Sequence, residues 1–536
     1  MKYYQFFHKK ISGPFTIPAG IVTTEVSVLE KISQEIPEIG ILTTKSIGLA
    51  PREGYREPIL AQPYPSSFIN AVGLTNPGVE EFAKRIAKIQ IPDNKFLLIS
   101  IFGKNEKEFQ EVAARLRDFA DGFELNLSCP HSDNYGQAVG QDKELVEKIV
   151  KSIVSLGKPV LVKVSPNLDV RETVKYALAG GISGFTAINT RGPEPYTHDG
   201  YPVLSNKVGG ISGQAILDLG LKVVKEVRGM TDLPIIACGG IATREEVEKY
   251  KAAGADFFGI GSALAGMNTQ ELQEYFHALA VDIERDTNQA AGFLKDKLNT
   301  AYLEYKIEEN EKLAEEFFLL KLDNSLKAEP GQFVFAWLPG KGEKPFSVFD
   351  DASLSLLIQK RGCFTKELAK LRPGETLYIR GPYGQSPKIE GKTLLVGGGS
   401  GIAGLYLFAK KHKKTIAVLG AKDKKHLPCL EKFRARSQQL YLATESGDMG
   451  DNGFVTDQLD EIMKKEKPDY CINCGPEAMV KEAIKKESKY LNQENIYSSA
   501  EFLTKCGIGL CGSCATATGY RACVDGTFLK RNRLIC

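Results

Sequence analysis

The sequence predicts an α/β chain that begins with a (β/α)8 TIM barrel and continues into an antiparallel β-barrel, an α/β nucleotide-binding domain and a small cysteine-rich domain. Three observations support this prediction. Between about residues 14 and 265, seven short apolar runs alternate with helix-length segments. From residue 302 the runs resemble β-hairpins, with Gly, Pro, Asp and Asn between them. From residue 392 strands and helices alternate again.

The first half contains the runs expected of parallel barrel strands, which are buried on both faces and read as continuous apolar stretches. The runs are GILTTKS, FLLISIF, GFELNLS, PVLVKVS, GFTAIN, PIIACGG and FFGIGSA. Such a series over about 250 residues favours a barrel, and an open doubly wound sheet is the alternative. Apolar side chains recur at three- and four-residue steps from Leu272 to Ile283, which predicts a closing helix from Glu271 to about Lys297.

The second half contains two different patterns of secondary structure. The runs EEFFLLKLD, GQFVFAWLP, KPFSVFD, LSLLIQK and ETLYIRG fit a small antiparallel barrel. The runs KTLLVGGGSGIAGLYLFAKK, TIAVLGA, QQLYLAT and DYCINCG fit an α/β sheet. The predicted boundaries are 1–285 for the first barrel, 286–300 for a connector, 301–388 for the antiparallel barrel, 389–495 for the α/β domain and 496–536 for the cysteine-rich domain.

Composition narrows the range of partners. The chain carries 69 Lys and Arg and 66 Asp and Glu residues, a net charge of +3. That charge is too small for binding to nucleic acid or anionic lipid through bulk electrostatics. No run of about 18 apolar residues occurs, and the N-terminal segment lacks the apolar core of a secretory signal. We therefore expect a cytoplasmic protein that binds neither nucleic acid nor a membrane.

The C-terminal cysteines are the most specific motif. Cys506, Cys511, Cys514 and Cys523 have the spacing C-x4-C-x2-C-x8-C, and the first three match the plant-type 2Fe-2S ligand run. The neighbouring glycines allow the backbone to wrap closely around a cluster. A structural zinc site is the alternative, although its ligand pairs usually stand two to four residues apart. A second C-x-x-C pair, at residues 471 and 474, is interpreted as structural.

Residues 344–479 carry four ordered motifs. They are Lys344-Pro345-Phe346-Ser347, Gly381-Pro382-Tyr383-Gly384, the loop Gly397-Gly398-Gly399-Ser400-Gly401, and Cys474-Gly475-Pro476. A glycine loop between a strand and a helix lets backbone amides approach a pyrophosphate. In this order the motifs resemble the ferredoxin-reductase-like flavoprotein family, in which a β-barrel binds FAD and the following α/β domain binds NAD(P).

That resemblance implies cofactor contacts in the second half. They are Lys344, Pro345, Phe346, Ser347, Phe364, Thr365, Gly398 and Gly399. Two of these depart from the family pattern, because Lys344 replaces an Arg and Phe364 replaces a Gly. A lysine keeps the charge but loses the bidentate fork of an arginine.

The first half carries a longer series of ordered motifs. They are Thr44-Lys45-Ser46, Pro51-Arg52-Glu53-Gly54, Asn70-Ala71-Val72-Gly73-Leu74, Asn126-Leu127-Ser128-Cys129-Pro130, Lys163, Asn189-Thr190, Gly209-Gly210-Ile211-Ser212-Gly213, Gly239-Gly240 and Gly261-Ser262. They resemble the catalytic subunit of class 1 dihydroorotate dehydrogenases, most closely the B subtype. With the cysteine-rich tail, residues 298–536 resemble the FAD and 2Fe-2S electron-transfer subunit of the same enzymes, so the chain resembles the two subunits fused.

The resemblance implies roles for individual residues. Cys129 would be the base that removes the C5 proton of dihydroorotate while FMN accepts the C6 hydride, which requires a lowered thiol pKa. Lys45 would lie between flavin and substrate, and Lys163 would stabilise negative charge on the reduced flavin. The implied substrate contacts are Lys45, Asn70, Ala71, Val72, Gly73, Leu74, Asn126, Asn189 and Thr190. The implied FMN contacts are Ala19, Lys45, Ser46, Ser100, Asn126, Lys163, Ile188, Gly213, Gly239, Gly240, Gly261 and Ser262.

The resemblance thus implies NAD-dependent oxidation of dihydroorotate in pyrimidine biosynthesis, with electrons passing from FMN through a 2Fe-2S cluster and FAD to NAD, and a homodimer formed through the barrel. Two flavin contacts differ from the family, at Ala19 and Ser100. His131 follows Cys-Pro where the family has Asn, as in the flavin domain of dihydropyrimidine dehydrogenases, so reduction of uracil or thymine is one alternative. A redox carrier with a noncatalytic docking barrel is another. The choice between NAD and NADP stays open.

Overall fold

A computed structural model describes residues 3–127, 137–295, 298–499 and 501–534. The chain divides into two compact units. The first comprises Met1–Leu298 together with the short tail segment Ile508–Ser513, and the second comprises Asn299–Gly507 and Cys514–Cys536. The finer domain boundaries expected from the sequence stay predictions.

Eight parallel strands form a closed barrel in the described part of the first unit, which confirms the predicted fold class. In chain order they are Phe15–Thr16, Ile39–Thr43, Phe96–Ile101, Gly122–Leu125, Val160–Val164, Gly184–Ala187, Ile235–Cys238 and Phe257–Gly259. Every residue of Ile39–Thr43, Phe96–Ile101 and Val160–Val164 is buried, as expected for strands covered on both faces. The strand Phe15–Thr16 was not predicted, because two residues leave no apolar run to detect.

Amphipathic helices surround the barrel. They are Val26–Glu35, Val79–Ile86, Glu106–Leu116, Lys143–Val154, Val170–Ala179, Leu217–Arg228, Arg244–Ala252 and Thr269–Arg285, with a short helix at Gln137–Gln141. The closing helix starts at a capping box, in which the Asn268 side chain accepts from the Glu271 N–H and the Glu271 carboxylate accepts from the Asn268 N–H.

The predicted end of the closing helix, at about Lys297, was wrong. The helix ends at Arg285, and Asp286 adopts φ 58°. The Asp282 carboxylate then accepts hydrogen bonds from the N–H groups of Gln289 and Ala290, which turns the chain back on itself. A single 3-10 turn follows at Ala290–Phe293. The helix therefore ends two residues after the last apolar side chain of its repeat, Ile283, where side-chain bonding to the backbone takes over from helical bonding.

Antiparallel strands belong to the loops at the carboxyl ends of the barrel strands. One sheet has the order Arg191–Pro195, Val208–Gly213, Ser67–Asn70 and Leu60–Tyr64, and a small hairpin joins Thr197–His198 to Tyr201–Pro202. The hairpin Tyr4–Phe6 with Lys9–Ile11 lies apart from these, and its Phe6 ring packs 4.7 Å from the rings of Phe96 and Phe257.

The second unit begins with a six-stranded antiparallel sheet. In spatial order its strands are Gly342–Ser347, Phe333–Leu338, Thr376–Tyr383, Leu303–Ala314, Phe317–Leu322 and Ser355–Gln359, and the helix Cys363–Leu368 follows the last of them in the chain. All the predicted runs form strands. Leu303–Ala314 was missed because its alternating charged residues leave few apolar side chains to form a pattern.

A seven-stranded, largely parallel sheet follows, which confirms the predicted α/β domain. Its order is Asp451–Asn452, Gln439–Thr444, Thr415–Ala421, Thr393–Gly398, Tyr470–Cys474, Ile496–Ser499 and Leu529–Lys530, and only the last pair is antiparallel. The helices of this part are Tyr406–Lys411, Leu430–Arg434, Leu459–Glu466, Glu477–Glu487, Ala522–Asp525 and Arg531–Leu534. Within the described ranges, no helix is both long enough and apolar enough to span a bilayer.

Candidate active site

The barrel unit contains a cavity at the carboxyl ends of its strands, the usual location of catalysis in this architecture. Its wall includes residues that stand one or two positions after a strand end, such as Lys45, Asn126 and Asn189. The remaining predicted residues on the wall are Ala19, Ser46, Asn70, Val72, Gly73, Leu74, Lys163, Ile188, Thr190, Gly213, Gly239, Gly240, Gly261 and Ser262. The fold therefore gathers side chains from most of the length of the barrel sequence.

A buried hydrogen-bond chain fixes one amide of this wall. Ser100 Oγ donates to Glu124 Oε1 at 3.0 Å and lies 2.8 Å from Ser46 Oγ, and Asn126 Nδ2 donates to Ser46 Oγ at 3.0 Å. The Oδ1 atom of Asn126 is buried and has no hydrogen-bond partner among the described residues. A buried acceptor without a donor is costly. Asn126 is thus held in a fixed orientation with an acceptor available to a ligand.

Two further asparagines of the wall are oriented by backbone groups. Asn70 Nδ2 donates to the Gly210 carbonyl at 3.2 Å, and Asn189 Oδ1 accepts from the Thr190 N–H at 2.9 Å. Three amide side chains with fixed directions can match the alternating donors and acceptors of a planar, polar ring. A site of this kind discriminates strongly, because a ligand that lacks one partner leaves a buried group unsatisfied.

Two lysines give the cavity a positive character. Lys45 and Lys163 both line it and are buried. Buried cations attract anionic ligands much more strongly than exposed ones, because the surrounding dielectric is low. Cys238 also lies on the wall, but burial raises the pKa of its thiol to about 12, against an opposing influence from Lys163. At pH 7 Cys238 is therefore a neutral thiol and a poor base.

The late strands supply a glycine-rich part of the wall. Gly213, Gly239 and Gly240 have φ values of 91°, 121° and 78°, which side-chain-bearing residues rarely adopt. The Gln214 side chain donates to the Gly240 carbonyl at 2.9 Å, and Ser262 Oγ donates to Ser212 Oγ at 3.1 Å. The backbone and hydroxyl groups that line the cavity here fit a phosphate, as in many barrels of this type.

The second unit contains a separate cavity. It is lined by Phe333, Pro345, Phe346, Ser347, Ser400, Gly401, Cys474, Gly475, Ser499, Glu501, Phe502, Thr504, Ala522 and Thr527. The antiparallel sheet and the glycine loop of the parallel sheet thus meet at one pocket. Burial raises the pKa of the Cys474 thiol to about 12. Thr527 Oγ1 is buried without a hydrogen-bond partner among the described residues, so the pocket offers a polar atom to a ligand.

The four tail cysteines are all buried. In the second unit, the Sγ atoms of Cys514 and Cys523 lie 3.4 Å apart. Hydrogen bonding by Cys506 and Cys514, together with burial, raises the pKa of the Cys523 thiol well above its usual value, so these three thiols are neighbours. Two thiolates on one tetrahedral metal are about 3.8 Å apart at a metal–sulfur distance of about 2.3 Å. The pair therefore fits two ligands of one metal.

Glycines flank these cysteines in backbone conformations that favour glycine. Gly507, Gly509 and Gly512 have φ values of 83°, 74° and 68°. In the part of the chain that the structure describes, no three His, Cys, Asp or Glu side chains converge as ligands of a single metal ion. A binuclear cluster needs only two cysteines on each iron, so the tail fits such a cluster.

Comparison with known proteins identifies the barrel. Residues 1–277 match the family model described as dihydroorotate dehydrogenase. The chain belongs to the dihydroorotate dehydrogenase family. Two relatives are named dihydroorotate dehydrogenase B (NAD(+)), catalytic subunit. The one from Methanocaldococcus jannaschii is 38% identical over 48% of this chain and 84% of its own length. The one from Pyrococcus abyssi is 38% identical over 48% of this chain and 86% of its own length.

A solved NADH-dependent reduced ferredoxin-NADP oxidoreductase also matches part of the chain. It is 31% identical, covers 43% of this chain and 89% of its own, and has a TM-score of 0.40. A TM-score of 0.40 is too low to support a conclusion about fold or function. The family assignment rests on the barrel, and the chain is an oxidoreductase of the dihydroorotate dehydrogenase family.

Not every residue expected from the family resemblance lies on a cavity wall. Cys129 and His131 lie outside the described residues. Ala71 is buried beside the first cavity, and Ser100 stands behind Ser46. In the second unit, Lys344, Phe364, Thr365, Gly398 and Gly399 are outside the described lining of the pocket. Thr365 Oγ1 instead accepts from the N–H groups of residues 361 and 362.

Several described wall residues were not predicted. Gln62 and Phe68 come from two strands of the antiparallel sheet, and Ser66 comes from the turn between them. Leu294, Lys295 and Leu298 come from the segment after the closing helix. Lys295 pairs with Glu271 at 2.6 Å. These residues do not follow a barrel strand in the sequence, so no sequence pattern predicts that they line the cavity.

Proposed function

We propose that this chain oxidises dihydroorotate to orotate and passes the two electrons to NAD+, yielding NADH and a proton. The observation that carries this proposal is the gathering of Asn70, Asn126 and Asn189 with buried Lys45 in one cavity. The three amides match the ring amide groups of a pyrimidine, and the lysine compensates the carboxylate that distinguishes dihydroorotate from dihydrouracil. The names of the relatives agree with this substrate and acceptor.

The residues fit three bound groups, which would relay electrons between substrate and NAD+. Lys45, Lys163 and the glycine-rich wall at residues 239 and 240 would hold FMN. The pocket of the second unit, with Phe346 and Ser347 on its wall, would hold the ring of FAD. The tail cysteines Cys506, Cys511, Cys514 and Cys523 would ligate a 2Fe-2S cluster. We expect one FMN, one FAD and one cluster per chain, measured by flavin, iron and acid-labile sulfide analysis.

Cys129 is the proposed base. Removal of two hydrogens across a carbon–carbon bond needs a side chain to take the C5 proton. Cys238, which lies on the described wall of the cavity, is a poor candidate, because burial raises the pKa of its thiol to about 12. Cys129 follows the strand Gly122–Leu125 by four residues. The loop that carries it therefore begins at the carboxyl end of the barrel, where the cavity lies.

One feature of the first unit supports transfer from the flavin toward the tail. The loop Pro18–Ile21 lines the cavity. Directly after it, the Val22 N–H donates to the Leu510 carbonyl at 2.6 Å, and Thr24 Oγ1 donates to the Cys511 carbonyl at 2.7 Å. The cavity wall and the backbone of one proposed cluster ligand are thus joined through a few bonded atoms, a short route for electrons.

The deciding experiment compares substrates under anaerobic conditions. Dihydroorotate should bleach the flavin absorbance of the purified protein, and added NAD+ should restore it. Orotate should bind at least about tenfold more tightly than uracil, or roughly 1.4 kcal/mol, because only orotate has a carboxylate that the lysines lining the cavity can attract. His131→Asn should preserve dihydroorotate oxidation within about tenfold, as for a neutral hydrogen-bond exchange. Tighter uracil binding, or efficient NADH-driven uracil reduction, would establish the dihydropyrimidine alternative instead.

Replacing Asn126 by Ala should weaken orotate binding about tenfold, roughly 1.4 kcal/mol, because the variant removes an oriented amide from the cavity. Spectral titration of the bound flavin with orotate measures this effect. Asn288→Ala is the matched control, since Asn288 is exposed in the same unit and should leave the affinity unchanged. Equal affinities for the wild type and the Asn126 variant would remove Asn126 from the substrate site.

A further inference from the structure

A buried ion pair lies in the antiparallel sheet of the second unit. Arg380 and Glu343 are only 2% and 1% exposed. Arg380 Nε donates to Glu343 Oε1 at 2.6 Å, and Arg380 Nη2 donates to Glu343 Oε2 at 2.8 Å. The Tyr302 hydroxyl donates to the same Oε1 at 2.6 Å. The two parallel hydrogen bonds form the bidentate arrangement that is among the strongest contacts between an arginine and a carboxylate.

The third nitrogen of the guanidinium connects the pair to the cysteine-rich tail. Arg380 Nη1 donates to the backbone carbonyl of Cys506 at 2.9 Å and to the Tyr383 hydroxyl at 3.0 Å. The guanidinium carbon also lies 3.9 Å from the centre of the Phe335 ring. A Cβ atom on Gly507 would lie 2.9 Å from Phe335 and 3.2 Å from Tyr383, so the tail backbone packs closely against both rings.

The ion pair is therefore oriented, with its positive group nearer to Cys506 than its negative group. Its positive end contacts the residue that carries a proposed cluster ligand, and its carboxylate binds the other edge of the guanidinium. Stability alone is a weak reason for such a pair, because well-packed apolar side chains often replace buried ion pairs without loss. Reduction of an iron-sulfur cluster adds one negative charge, and buried charges and hydrogen bonds near the cluster set its potential.

We propose that Arg380, held by Glu343, is a positioning residue for the cluster: it fixes the backbone at Cys506 and its charge raises the reduction potential of the 2Fe-2S centre. The inference rests on the proposed function only in requiring a cluster on the tail cysteines. The charge of Glu343 opposes that of Arg380, but from the far side of the guanidinium. The pair thus favours the reduced cluster by less than a lone arginine would.

Two variants test the sign of this effect in the full-length holoprotein. Glu343→Gln keeps the size of the side chain and leaves the arginine charge uncompensated. It should shift the reduction equilibrium at least tenfold toward the reduced cluster, which is 59 mV for a one-electron couple. The double variant Arg380→Gln/Glu343→Gln removes both charges and should shift the equilibrium about tenfold the other way. Anaerobic titration monitored by electron paramagnetic resonance measures both midpoints.

Tyr302→Phe is the matched control, because it removes a hydrogen bond to the same carboxylate without changing any charge. Its midpoint should stay within threefold of the wild-type equilibrium. If the pair served only to stabilise the fold, the midpoint potentials of the two test variants would shift in the same direction or not at all. Either result would overturn the inference. If the double variant does not assemble, an unshifted midpoint in Glu343→Gln alone overturns it. Absence of iron and sulfide from the wild type would instead contradict the proposed cluster itself.

Discussion

Replacing Cys129 by Ser should slow flavin reduction by dihydroorotate by about a hundredfold to ten-thousandfold at pH 7, the usual contribution of a general base. A thiol with a pKa near about 8.5 provides some thiolate at neutral pH, whereas an alcohol provides almost none. The variant should keep its flavins and bind orotate, because the change alters one atom. Anaerobic stopped-flow measurement of flavin bleaching gives the rate directly.

The pH dependence of flavin reduction should differ between the wild type and the Cys129→Ser variant. The base must be deprotonated to act, so the wild-type rate should rise with pH and level off above the pKa of the Cys129 thiol. The serine variant should continue to rise, and the gap between the two proteins should narrow in alkali. Cys238→Ser is the matched control, since the pKa of about 12 already keeps that thiol neutral. A Cys129→Ser protein with the wild-type rate at pH 7 would show that another group takes the proton.

Continuous burial explains why most of the barrel was predictable from sequence. Strands such as Phe96–Ile101 and Val160–Val164 are buried at every residue, so each leaves an uninterrupted apolar run. The strand Phe15–Thr16 contributes only two residues. The strand Leu303–Ala314 has one sparsely buried face and many charges. In both cases pairing with neighbouring strands, rather than local sequence, decides the conformation.

The residues of the cavity wall also fall into a predictable group and an unpredictable group. Lys45, Asn126 and Asn189 were predictable because each follows a strand, and parallel strands all end on one side of a barrel. Gln62 and Lys295 come from elements laid over the cavity, and no periodicity in the sequence reports that arrangement.

The Arg380–Glu343 pair is the feature that the sequence alone predicts least. Phe333–Leu338 is the middle strand, on which Phe335 pairs with Arg380 and Trp337 pairs with Glu343. Residues two apart on a strand share a face. The two charges therefore meet across a third strand, although they stand 37 residues apart in the chain. Only the register of three strands brings them together, and a one-residue slip would separate them.

Replacing Cys511 by Ser should separate the two half-reactions of the enzyme. Loss of one thiolate should remove the cluster, because each iron needs both of its cysteine ligands. Dihydroorotate should still bleach FMN at close to the wild-type rate, since the cavity residues Lys45 and Asn126 are unchanged. NADH formation should fall by at least about a hundredfold, because the proposed route from FMN to FAD passes through the cluster.

Separate assays measure the two halves of this prediction. Flavin bleaching by dihydroorotate reports the barrel, and reduction of an artificial acceptor by NADH reports the FAD pocket, so intact values for both would locate the loss between them. Cys363→Ser is the matched control, because Cys363 is an exposed free cysteine of the second unit and should leave the coupled rate unchanged. Normal NADH formation by a cluster-free Cys511→Ser protein would mean that electrons reach FAD by a route that bypasses the cysteines. The contacts of Val22 and Thr24 with the tail would then be structural only.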